Sequence, residues 1–275
     1  MVKRRLVCGA NTVQRHWSSY SCLAWPLLMI KAAYYKKYNE GTCNLYRMSR
    51  IYASLLFGLM ICAAHVAGYS SNNYTLQFSS GGVSDYVNIW GMPSLTQFTV
   101  CLWMKSSSGN DGTSFSYAVN GQDNELLLFD YASFEMYIGG QFRKTRVSAN
   151  DGYWHHICVT WTNRNGGWHI YKDGVLHHHS INFMRGYTIK SGGSLVLGQE
   201  QDRPGGSFDS NQRFLGLLTG VNVWNTVLSA SVIRNLSRSC FDGLGSVYRW
   251  SDFRDAIKGN TGLVVPSNCS PRSTG

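Results

Sequence analysis

The sequence predicts an all-β protein, a two-sheet antiparallel sandwich with one short helix. Three observations point there. Phe98, Val100, Leu102 and Met104 alternate with Gln97, Thr99, Cys101 and Trp103, the period-two spacing of a half-buried strand. Asn165-Gly166-Gly167 and Asp173-Gly174 stand between strand-like stretches at hairpin spacing. Helical periodicity is nearly absent after Tyr74. Short strands joined by glycine-rich turns bury their apolar faces by stacking in two layers.

In chain order, Glu125–Phe129 reads as a strand more buried than its neighbours, and Tyr137-Ile138, Gly139-Gly140 and Gln141-Phe142 read as strand, turn and strand. Trp154–Trp161 alternates again, with Ile157, Val159 and Trp161 on one face. The Asn165-Gly166-Gly167 turn leads into Trp168-His169-Ile170-Tyr171. Ser194–Leu197 runs straight into an acidic, glycine-bearing stretch, and Leu215–Trp224 is a last long strand region. Ser229–Arg238 alone looks helical, with Ser229 or Ser231 as N-cap and Val232, Ile233 and Leu236 as its apolar side. No linker or repeat divides this region, so it reads as one domain.

The formal net charge is +10, but it is unevenly spread. Residues 1–50 hold nine Lys or Arg and one acid, Glu40, whereas the remaining 225 hold 16 basic and 14 acidic side chains. A nearly neutral body without a recognition helix or a basic–aromatic stripe argues against nucleic acid as a partner.

Met48-Ser49-Arg50 precedes a short apolar run, Ile51–Ala64, with a small-residue exit at Ala64 or Gly68. That pattern is a secretory signal peptide, expected over 48–68, with residues 1–47 as an upstream extension outside the mature protein. The alternative is a type II membrane anchor with a basic cytoplasmic tail. Either reading puts the rest of the chain in an oxidising, extracellular setting. The eight cysteines form no CxxC pair and suit disulfides better than zinc.

The stretch from Gly198 to Gln212 crowds Glu200, Asp202 and Asp209 together with several amides and the pair Gly205-Gly206. Carboxylates held this close repel one another unless a cation or water intervenes. Carboxylate, amide and carbonyl oxygens are what Ca²⁺ takes, about 6–8 of them at roughly 2.3–2.6 Å. A solvated acidic loop is the plainer reading of this stretch alone.

Tyr86-Val87, Phe98-Thr99-Val100-Cys101-Leu102-Trp103 and His156-Ile157-Cys158-Val159-Thr160-Trp161 together resemble the pentraxins, relatives of C-reactive protein and serum amyloid P component. The segment at His156 matches the signature H-x-C-x-[ST]-W-x-[ST] except at its last position, Asn163. Gln122-Asp123-Asn124-Glu125 and Gln199–Gln212 match further segments in the same order. The resemblance covers residues 69–269 as one pentraxin domain, with 270–275 as a tail, and implies a concanavalin A- or laminin-G-like jelly roll. It pairs Cys101 with Cys158 and Cys240 with Cys269.

It also implies two Ca²⁺ per subunit. Asp123, Asn124, Glu200, Asp202 and the main-chain carbonyl of Gln201 would hold the first; Glu200, Asp202, Asp209 and Gln212 would hold the second. The implied role is that of a secreted, non-enzymatic, lectin-like recognition protein. It would bind phosphate- or carboxylate-bearing head groups and polysaccharides on microbial or damaged-cell surfaces, act as a cyclic homo-oligomer (a pentamer by resemblance), and engage immune effector proteins. Phe129 matches the apolar position that relatives use against choline. Phe142 stands where their ammonium-binding carboxylate would be, with Glu135 the nearest substitute, so phosphocholine is poorly supported. Sequons at Asn73 and Asn235 are candidate glycan sites in an exported chain, while Asn268 adjoins a cysteine.

Two other readings stand beside this one. A glycoside hydrolase needs a carboxyl pair flanking the scissile bond, and Pro204 stands where a third acid would complete the usual E-x-D-x-E pattern. A laminin-G-like adhesion module shares the sandwich but does not require the two acidic segments together. His177-His178-His179 reads as a solvated strand edge, not a metal site.

Overall fold

The expected alternation becomes two stacked antiparallel sheets. The computed structural model describes residues 72–79 and 82–271. These belong to the second of two units into which the chain separates, Met1–Gly68 and Tyr69–Gly275. The signal peptide, the upstream extension and the end of the tail lie outside the described residues.

The first sheet runs β10 (Val175–Ser180), β9 (Gly167–Lys172), β8 (Trp154–Thr162), β3 (Gln97–Lys105), β12 (Gly216–Trp224), β1 (Thr75–Phe78) and β14 (Gly262–Val264). The second runs β13 (Ile257–Lys258), β2 (Tyr86–Trp90), β11 (Ser194–Leu197), β4 (Phe115–Val119), β5 (Gln122–Phe129), β6 (Glu135–Ile138) and β7 (Gln141–Lys144). All pairings between these strands are antiparallel. Phe98, Val100, Leu102 and Met104 of β3 and Ile157, Val159 and Trp161 of β8 fill the space between the sheets with Leu126, Leu128, Leu195 and Leu197. This is an all-β jelly-roll sandwich.

The sequence treats β3 as half-buried, yet Phe98–Met104 is buried on both faces. The outer face is roofed by helix α1 (Ala230–Leu236) and by the segment around Cys240. Ile233 of α1 packs with Cys101, Cys158, Tyr171 and Trp224, while Cys240 packs with Trp103 and Trp154. Ser229 is the N-cap, accepting from the Val232 N–H. Of the three residues expected on the apolar side, Ile233 and Leu236 pack against the sheet, whereas Val232 is 42% exposed. A 3-10 helix at Trp250–Ala256 has no counterpart among the sequence expectations. Its Trp250 stacks on Tyr74 at 4.4 Å and plugs one end of the core.

Cys101 and Cys158 are register partners across β3 and β8 and are disulfide-bonded, as are Cys240 and Cys269. The histidine run sits on edge strand β10, as expected, but a bulge between Leu176 and His178 breaks its simple alternation. His178 lies against the Trp168 ring at 4.7 Å.

Two consequences are measurable. The Cys101–Cys158 bond closes a loop of 57 residues, worth about 4 kcal/mol on the chain-entropy model. Cys101→Ala with Cys158→Ala is expected to lower the unfolding free energy in denaturant titration by that order; a loss under about 1 kcal/mol would contradict it. His156 is buried against Trp103 and within 3.5 Å of the Cys158 sulfur. Burial pushes it down to about 4, with Asp173 pulling the other way. The folded state therefore binds fewer protons than the unfolded chain below about pH 6.5. Its contribution is intact above that pH and is lost progressively toward pH 4, by roughly 3 kcal/mol. His156→Gln is expected to flatten the fall in stability over that window; an unchanged slope would refute the assignment.

Candidate metal centre

β11 ends at Leu197, and the chain then folds back over the outer face of the second sheet. Gly198 makes this reversal with φ +94, and a Cβ there would lie 2.3 Å from Phe78. The Gln201 side chain, wholly buried, then pins the returning loop. Its Nε2 donates to the Ser116 carbonyl at 2.8 Å and the Ser194 carbonyl at 3.1 Å, while its Oε1 accepts the Gly205 N–H at 2.7 Å. The residues on either side, Glu200 and Asp202, are thereby held in place. The far half of the loop rests on β2 through Phe208, edge-on to Tyr86 at 4.8 Å. Asp209 turns it back, accepting the Asn211 N–H on its side chain and the Gln212 N–H on its carbonyl. The Gln212 carbonyl then accepts from Thr113 N–H.

Asp123 and Asn124 come from the start of β5, two strands away in the same sheet. Glu125 fixes that strand end. Its buried carboxylate accepts from the Tyr187 hydroxyl at 2.9 Å and from the Lys190 N–H at 2.7 Å. Neither this clamp nor the Gln201 pin is legible as such in the sequence. The only sequence signal for them is position, each being a polar residue adjoining the ligand candidates.

Glu200 is the centre of the arrangement. It is 3% exposed, and burial, reinforced by the charges of Asp202, Asp123 and Asp209, pushes its carboxyl up to about 7, partly offset by the Gln201 N–H. Four carboxylates from two segments thus share one electrostatic neighbourhood. Asp202 and Asp209 are exposed, while Asp123, Asn124 and Gln212 are half-buried. Two oxygens here, Glu200 Oε2 and Asn124 Oδ1, are buried without a hydrogen-bond partner. Orphaned buried acceptors among like charges are costly unless a cation takes them. The donor set is all oxygen, as Ca²⁺ requires. The residues fit the ion.

The described residues hold one set of three His, Cys or acidic ligand atoms mutually within 4.8 Å: Cys101, His156 and Cys158. Its two sulfurs are already joined to each other.

Phe129, at the far end of β5 from Asp123, heads an aromatic row whose next member, Tyr137, feels the Glu200 charge. It meets Tyr137 edge-on at 6.2 Å, and Tyr137 stacks on Phe142 at 5.0 Å. Glu135 is not available as a partner for an ammonium group. Lys144 occupies it at 2.8 Å and the Tyr137 hydroxyl donates to it at 3.0 Å. Of the sequons, Asn235 is exposed on α1, whereas Asn73 uses its side-chain oxygen to accept the Ser267 N–H at 2.9 Å.

Comparison with known proteins gives a consistent picture. The model of the Pentaxin family matches residues 75–264. The sushi, von Willebrand factor type A, EGF and pentraxin domain-containing protein 1 of Rattus norvegicus is 41% identical over 205 residues, 72% of this chain and 6% of that protein. Neuronal pentraxin-2 of Homo sapiens is 40% identical over 184 residues, 66% of this chain and 43% of that protein. The chain therefore spans less than half the length of these relatives. Among solved structures, the native heptameric SAP-like pentraxin from Limulus polyphemus superposes with a TM-score of 0.62 at 23% identity, covering 70% of this chain and 94% of that one. With the family model spanning most of the sandwich, this chain belongs to the pentraxin family.

Proposed function

We propose that this protein is an extracellular, calcium-dependent, lectin-like recognition module. The observation that carries the reading is the pair of buried, unpartnered oxygens, Glu200 Oε2 and Asn124 Oδ1, within a cluster of four carboxylates. Asp123, Asn124, Glu200, Asp202 and the Gln201 carbonyl would hold one Ca²⁺; Glu200, Asp202, Asp209 and Gln212 would hold a second. Bound Ca²⁺ supplies a coordination position for an incoming anionic oxygen. This chain's own residues do the rest. Gln201 and Glu125 fix the two segments, and exposed Asp202 and Asp209 keep the centre open to solvent.

The target class is a phosphate- or carboxylate-bearing group. Choline recognition is disfavoured because Glu135 is committed to Lys144 and Tyr137. A binding role is preferred to hydrolysis, since Glu200 and Asp202 serve as metal ligands and neither is free as a general acid. Two disulfides in the domain suit an exported protein. Among the described residues, no helix is long and apolar enough to cross a membrane. A cyclic homo-oligomer is the assembly we favour, because weak sites on one face then gain by avidity; the Limulus protein, by its description, is a heptamer.

Glu200→Gln combined with Asp202→Asn removes two charges from the cluster without changing shape. The variant is expected to lose chelator-reversible retention on phosphoethanolamine beads while keeping the circular dichroism of the parent. Retention at parental strength would refute the metal mechanism, and release of reducing sugar from polysaccharide by the parent would favour the hydrolase.

A further inference from the structure

The outer face of the second sheet carries one largely exposed indole among the described residues. Trp90 is 57% exposed, whereas Trp103, Trp154, Trp161, Trp168, Trp224 and Trp250 are buried. A single exposed apolar side chain needs no partner by itself; what sets Trp90 apart is what surrounds it. Trp90 closes β2 opposite Ser194 of β11, two residues beyond Asn88, whose side chain accepts from the Ser194 hydroxyl. In a strand, that spacing puts Trp90 and Asn88 on one face. The acidic loop crosses the same face, for a Cβ built on Gly205 would lie 3.0 Å from the Trp90 indole and 3.1 Å from the Asn88 amide. The N–H of Gly205 is itself tied to Gln201, next to Asp202.

Beside the indole lies a depression of about 230 Å³, lined by Trp90, Asn120, Lys190, Gly193 and Pro204 among others. Its floor is rigid. The buried Tyr117 hydroxyl donates to the Lys190 carbonyl at 2.8 Å and accepts the Gly193 N–H at 2.9 Å. The Lys190 N–H is held by Glu125, in the strand end that bears Asp123 and Asn124. The Lys190 side chain is exposed and forms no ion pair among the described residues. The volume falls below the roughly 300–1,000 Å³ of a pocket for a drug-sized ligand, which suits a single ring. One aromatic face, with Val119 and Pro204 as the other apolar side chains of the lining and an amide, a hydroxyl residue and a cation around them, matches a polar ring with C–H groups on one face. It does not match an apolar protein patch.

We propose that this depression is a saccharide subsite beside the metal centre. One pyranose ring of an acidic oligosaccharide stacks its C–H face on Trp90, and its carboxylate pairs with Lys190. The Asn120 amide takes a ring hydroxyl. A neighbouring sugar unit then presents its anionic group to the calcium cluster. That last contact rests on the calcium reading above; the Trp90 and Lys190 contacts do not.

The test uses the full chain and two probes, trigalacturonate and phosphoethanolamine, with Trp90→Ala and Lys190→Gln. Each substitution is expected to weaken trigalacturonate binding about tenfold in Ca²⁺ and to change phosphoethanolamine binding less than twofold. In chelator, millimolar galacturonate should still shift the Trp90 indole N–H resonance, and less so in Lys190→Gln. Unaltered trigalacturonate affinity in both variants, with a stationary indole resonance, would overturn the subsite while phosphoethanolamine retention left the calcium reading standing. A moving resonance without calcium-dependent retention of either probe would do the reverse.

Discussion

A carboxylate taken out of water and set among three others is the constraint around which this molecule is arranged. Glu200 is buried, and Asp202, Asp123 and Asp209 all act on it. Among the described residues, the charges that act on Glu200 are those of Asp202, Asp123 and Asp209, with no cation among them, and Lys144 of the nearby hairpin is paired with Asp130 and Glu135. Repulsion of this kind destabilises a fold unless a proton or an external cation relieves it, which is the support for reading the arrangement as a site. The same cluster that would hold the cation leaves two of its members exposed, where a ligand can reach them.

The sandwich exists to hold two distant segments at a fixed separation. Within the sheet β4 lies between β5 and β11, so the register of three strands sets where Asp123 and Glu200 stand. Local pins remove the remaining freedom. Gln201 reaches beneath the loop to Ser116 and Ser194, and Glu125 ties the β5 end to Tyr187 and Lys190. Behind them the first sheet is covered on both faces, by the core on one side and by α1 and the Cys240 region on the other. The sheet that bears the carboxylate cluster is thus backed by a second packed layer. Its own outer face is left for the loop, the Phe129–Tyr137–Phe142 row and Trp90.

Much of this was legible in the sequence, because period-two alternation and glycine turns are local signals. β3, β5, the β6–β7 hairpin, β8, β9, β11 and β12 all lie where the pattern put them. The membership in the pentraxins was likewise legible, from the segment at His156 and the two acidic segments. What escaped depended on contacts remote in the chain. Thr99, Cys101 and Trp103 look like a solvent face until α1 and Cys240 close over them. The 3-10 helix at Trp250 has no periodicity to announce it; it is held by Tyr74, 176 residues away. Glu135 reads as the nearest substitute carboxylate in the sequence, but counting back from the Gly139-Gly140 turn sets it opposite Lys144. The Gln201 side chain could not be assigned at all, since its partners belong to other strands.

Calorimetric titration of Ca²⁺ into the purified domain, alongside its thermal unfolding, addresses the cation most directly. Saturable heat corresponding to two ions per chain and a rise in unfolding temperature are expected, both lost in Glu200→Gln. No heat and no change in unfolding temperature would contradict a metal centre at Glu200.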